Sequence, residues 1–121
     1  MGVTPYLTVD AVMGTLRSLA GWAAGGCVCF DHRIPPSLMG PVDRAVDEAI
    51  GQRAAAAGEP WLSSFDPADL QRQLMGLGFA AAVSVSSDEL NARYFARRKD
   101  GLRTGGALRI VCADTGGVRP A

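Results

Sequence analysis

The sequence is short of the features by which many protein classes are recognised. Its twelve basic residues are matched by twelve acidic ones, so the formal net charge is zero. A neutral chain has no global field to steer nucleic acid or an anionic membrane. No apolar run approaches the ~18 residues of a membrane span. The first residues lack a basic segment followed by an apolar core, so no signal peptide is expected and a cytoplasmic location follows. There is one histidine, His32, and the three cysteines (Cys27, Cys29, Cys112) form neither a C-x-x-C nor a Cys/His cluster. That pattern argues against zinc or any other metal and against a disulfide framework, so the cysteines are expected as small buried residues in a reducing compartment. The three Gly-Gly pairs at 25–26, 105–106 and 116–117 do not follow a strand and open a helix as G-x-G. A glycine-rich cofactor loop is therefore absent.

What is present is an ordinary globular composition, 48% hydrophobic and 20% charged in 121 residues, enough for a single domain over residues 1–121. Thr8 is a good N-cap, and Val12, Leu16, Leu19, Ala20 and Ala23 then share one helical face, predicting a helix over 9–24. The apolar run Cys27 to Phe30, ending at Asp31, predicts a strand buried on both faces. Pro41 opens a second helix whose inner stripe is expected at Val42, Ala45, Val46, Ala49 and Ile50, with Asp43, Arg44, Asp47 and Glu48 outside. Gly58 ends it. Asp66-Pro67-Ala68-Asp69 starts a third helix with Leu70, Leu74 and Leu77 inward. Phe79 to Val85 reads as a strand, Ser86 to Glu89 as a capping box, and a short helix runs on through Phe95. Ala107 to Cys112 is a third strand, and residues 115–121 are expected to be a frayed tail. Helices between strands favour an α/β layer architecture. The first two strands have a crossover long enough to lie parallel, and the last two can pair antiparallel.

Gly2-Val3-Thr4-Pro5-Tyr6-Leu7-Thr8 has the character of a loop that leaves a strand and enters a helix, yet no strand stands before it. This segment resembles the one after the fourth strand in bacterial S-adenosylmethionine-dependent methyltransferases of the leucine carboxyl methyltransferase-like group. Phe30-Asp31 with Pro35-Pro36 resembles the exit of that family's fifth strand. Gly58 to Trp61 with Phe65-Asp66-Pro67 resembles the following loop and helix start. Leu90 to Phe95 with Asp100 to Arg103 resembles the segment near the family's C-terminus. The resemblance implies a partial doubly wound, Rossmann-like sheet of about three strands (the family's five to seven) with flanking helices. It also implies S-adenosylmethionine as cofactor, bound by the family on an earlier glycine-rich turn that this chain lacks. The function implied is O-methyl transfer to a carboxylate or hydroxyl of a small molecule, by a C-terminal fragment expected to be inactive alone. The alternative is a non-catalytic remnant or interaction module without cofactor binding.

Acceptor-side candidates follow from the same placement: Tyr6 in the opening loop, Asp31, His32 and Arg33 at the first strand's exit, and Asn91, Arg93 and Tyr94 near the end. Tyr6 either hydrogen-bonds an acceptor or packs the loop onto the sheet. His32 is either a base or a solvated loop residue, and Arg33 either a bidentate anion clamp or a surface arginine. Trp61 and Phe65 either line an apolar acceptor pocket or anchor their loop. The cations Arg93, Arg97, Arg98, Lys99 and Arg103 are interrupted by acids and read as a solvated face, not a nucleic-acid site. If a preceding strand is missing, the edge of strand 27–31 is bare and apolar, so self-association or a complementary N-terminal half is expected there.

Overall fold

The computed structural model describes residues 2–22 and 25–116. They form a mixed α/β unit: helix α1 (Val9–Ala20), strand β1 (Cys27–Arg33), α2 (Pro41–Ala56), α3 (Pro67–Gly76), β2 (Ala81–Val85), a short α4 (Ser87–Leu90) continued by a π-turn (Asn91–Phe95), and β3 (Leu108–Asp114). Each helix start has its local cause. The Thr8 hydroxyl accepts from Ala11 N–H at 3.1 Å, and the Asp66 carboxylate accepts from Ala68 and Asp69 N–H at 2.9 and 3.2 Å. Ser86 and Glu89 form the reciprocal capping box.

The three strands make one sheet in the order β1-β3-β2, with β3 antiparallel to both neighbours. β1 and β2 therefore run parallel, as their helical crossover allows, but β3 lies between them. α1 and α3 pack on the same side of the sheet, where Val12, Leu16, Phe65, Leu70, Leu74, Phe79, Val111 and Ala113 form the core. Phe79 is core but precedes β2, which begins at Ala81, and β3 extends to Asp114.

Several expectations are corrected. α1 ends at Ala20; Ala23 lies outside the described residues. β1 is not buried on both faces. Strand alternation and register place Cys27, Cys29, Leu108, Ile110, Cys112, Ala81, Val83 and Val85 on the side away from α1 and α3. Val83 is 60% and Leu108 40% exposed there, so this second face is apolar and open. α2 is turned relative to the expected orientation: Val42, Val46 and Ile50 are 77%, 52% and 46% exposed, while Asp47 is buried. The cause is Arg33, whose guanidinium is drawn from water and requires a carboxylate partner.

The cysteines are not three buried thiols. Cys29 and Cys112 stand opposite each other on β1 and β3, Cα atoms 4.1 Å apart, and are joined as a disulfide, whereas Cys27 is exposed and free. The expected reducing compartment loses that footing. The expected frayed tail is held at its start: Thr115 N–H donates to Gly26 O at 2.8 Å and its hydroxyl contacts Gly26 at 2.9 and 3.0 Å. Residues 117–121 lie outside the described residues.

Candidate functional site

The opening loop and the exit of β1 are fastened together. Gly2 N–H donates to both Asp31 carboxylate oxygens, at 2.7 and 2.9 Å, and the Thr4 hydroxyl donates to the Asp31 carbonyl at 2.6 Å. Ser63 ties the following loop on: its hydroxyl donates to Thr4 O at 2.7 Å, and Leu62 N–H donates to Pro5 O at 2.6 Å. Asp31 is consequently buried and engaged in holding the loop.

These ties form a cleft of about 280 Å³ between the opening loop, α2 and the start of β3, lined chiefly by Tyr6, Arg33, Val46, Ile50, Trp61 and Leu108. It lies at the carboxyl end of β1, beside the amino end of β3. Arg33 forms its inner wall. Its Nε and Nη2 donate to the two Asp47 oxygens at 3.0 and 2.6 Å, and its guanidinium carbon lies 4.5 Å from the Trp61 ring centroid. The pair is well shielded, with side-chain exposures of 13% and 5%. Arg33 is thus neither a surface arginine nor a free clamp.

His32 is corrected more strongly. It is a strand residue, 1% exposed, on the core side of the sheet between Phe30 and Phe65. Its Nδ1 lies 3.1 Å from the Arg33 carbonyl, so Nδ1 carries the proton and donates, and Nε2 has no partner. Burial holds its pKa below the usual 6.5; nearby Arg109 lowers it further, while the Arg33 carbonyl and Asp31 oppose the shift. The cleft opens on the other side of the sheet, so His32 does not face it.

Asn91, Arg93 and Tyr94 do not join this cleft. Asn91 clamps the loop ahead of β3, donating to Thr104 O at 3.1 Å and accepting from Thr104 N–H at 2.8 Å. It borders a separate cleft with Asp88, Phe95 and Arg103. Arg93 reaches Glu89 at 3.7 Å on the surface, and Tyr94 is 69% exposed. Arg98 pairs with Asp100. Phe65 is a core residue, while Trp61 does line the cleft. Asp47, which fixes the site's charge, escaped the sequence reading because nothing distinguishes it from Asp43 on the same acidic stripe.

Of the glycine pairs, Gly25-Gly26 leads into β1 and Gly105-Gly106 into β3, with Gly106 N–H donating to Asp43 at 3.2 Å; Gly117 of the third pair lies outside the described residues. Among the described residues no group of three or more His, Cys, Asp or Glu side chains is placed to hold a metal, and no helix is long and apolar enough to cross a membrane.

No known protein family and no curated protein matches the chain. Among solved structures it is similar to a possible exported protein from Bordetella parapertussis, with a TM-score of 0.61 and 18% identity over 96% of this chain. The match spans 37% of that protein's chain. At this identity the likeness concerns the fold alone.

Proposed function

We propose that this chain is the acceptor-side portion of an S-adenosylmethionine-dependent O-methyltransferase with a Rossmann-like, doubly wound sheet. The observation that carries the reading is convergence. Three segments far apart in sequence, 2–8, 30–36 and 58–67, each resemble that family, and they meet around one cleft at the carboxyl end of β1. Parallel β1 and β2 joined by helices are also compatible with a doubly wound sheet that carries an antiparallel strand.

In this reading the chain's residues bind and orient the acceptor, and the donor is held elsewhere. The residues present do not form the glycine-rich turn the cofactor requires, so no step through the cofactor is derived from them. The outer edge of β1 is covered at Asp31 and Arg33, whose carbonyls accept from the Thr4 hydroxyl and Phe65 N–H, but its first residues and the open sheet face support a further polypeptide, or a second copy, completing the layer. The similar solved chain is longer, and the match spans 37% of it.

A non-catalytic interaction module is the second reading. It is favoured by His32 being sealed in the core and Arg33 being neutralised, which leaves no evident base or anion clamp.

Calorimetric titration with S-adenosylmethionine tests the proposal. The chain alone should give no saturable binding. Saturable binding would overturn the placement of the donor site on other polypeptide and would also remove the interaction-module reading.

A further inference from the structure

The wall of the cleft is a closed charge. Two Arg33 donors are spent on the two Asp47 oxygens, and one face of the Arg33 plane is covered by Trp61. Trp61 in turn lies against α2 at Gly51, where an added Cβ would stand 3.4 Å from its ring. The larger side chains of the remaining lining are Tyr6, Val46, Ile50 and Leu108, an aromatic and three aliphatic groups. At about 280 Å³ the space exceeds the ~150 Å³ apolar cavity that suffices for benzene, so a substituted ring fits.

We propose that this cleft selects an uncharged, ring-sized hydrophobic group as the acceptor's body, and that Asp47 is the residue that sets this specificity. The proposal rests on the reading of the cleft as the acceptor site. Asp47 does so by occupying Arg33. An entering carboxylate meets a guanidinium whose charge Asp47 already balances, reaches only its remaining Nη1–H and Nη2–H donors, and lies beside a second negative charge. An uncharged ring displaces water from apolar walls and leaves the ion pair intact. With the Arg33–Asp47 inner wall neutral overall and the side walls apolar, the reacting oxygen of the acceptor points outward, toward the open side of the cleft.

The test uses the full chain and two small probes of one shape, p-cresol and benzoate, near pH 7.5. Binding is read from the indole N–H resonance of Trp61 by NMR, with Trp22, which lies away from the cleft, as internal control. p-Cresol should shift Trp61 saturably and leave Trp22 unmoved, and benzoate should bind at least about tenfold more weakly. Asp47→Asn frees Arg33 from its charged partner and should reverse the preference, so that benzoate binds more tightly than p-cresol. Tyr6→Ala should weaken p-cresol several-fold without creating benzoate binding. If wild-type protein binds benzoate as well as p-cresol, the specificity proposal falls while the cleft remains a site. If neither probe moves Trp61, the acceptor-site reading falls with it. If Asp47→Asn loses the fold, the wild-type comparison of the two probes still decides.

Discussion

Replacing Asp47 by Ala removes the one carboxylate that accepts from Arg33 among the described residues. Arg33 is 13% exposed at its side chain, so water does not take the carboxylate's place without rearrangement. Stranding one member of a buried ion pair costs about 3–5 kcal/mol. The open side of the cleft lets the guanidinium turn partly outward, which favours the lower end, about 3 kcal/mol. For a domain of this size that corresponds to a fall of roughly 10–15 °C in Tm. Arg33→Met leaves Asp47 buried and unpaired and should cost a similar amount. The double variant Arg33→Met/Asp47→Leu removes both charges and fills the space, so it should lie within about 1 kcal/mol of wild type. Urea denaturation of the four proteins then gives a coupling free energy of at least about 2 kcal/mol. A loss below about 1 kcal/mol for Asp47→Ala, with coupling near zero, would mean that the pair behaves as an exposed surface contact. That result would refute both the burial argument and the explanation of why α2 turns its acidic side inward.

Three further outcomes follow from the same structure. His32 has a folded-state pKa below its unfolded value of 6.5, so the unfolded chain takes up its proton first. Its contribution is full above that pH and is lost as pH falls toward the folded pKa; His32→Leu should flatten stability measured between pH 7 and 5, and an unchanged slope would contradict the assignment. The Cys29–Cys112 disulfide closes a sequence separation of 83 residues, so its reduction should lower unfolding free energy by about 4–5 kcal/mol, read as a reductant-dependent shift in urea midpoint. The open sheet face should drive association at about tens of micromolar in sedimentation velocity, and Val83→Lys, at a position already 60% exposed, should restore a monomer; a monomeric wild type would count against the face as an interface.

Local chemistry made much of the fold legible. Thr8, Asp66 and Ser86 announce helix starts because a side-chain oxygen beside free backbone N–H groups is a short-range cause that needs no tertiary context. The antiparallel pairing of the last two strands was likewise within reach. What was not legible depends on partners distant in sequence. Val42, Val46 and Ile50 form a stripe that patterning assigns to the core, but Arg33, on another element, reorients the helix through Asp47. The Cys29–Cys112 pair arises because β3 inserts beside β1, which neighbouring residues do not reveal. His32 follows Asp31 at what reads as a strand exit, yet β1 continues through Arg33 and alternation sends the ring into the core. The candidate site divided in the same way: Tyr6, Arg33 and Trp61 converge, whereas Asn91 serves the neighbouring loop.

The central claim is that the opening loop and the β1 exit face a donor whose main binding site is supplied by other polypeptide. Chemical-shift mapping with S-adenosylhomocysteine tests it most directly. The account predicts weak, non-saturating shifts confined to Gly2–Leu7 and Asp31–Arg33. Tight saturable binding, shifts centred elsewhere, or none at all at about 10 mM, a concentration that detects even millimolar affinity, would contradict it.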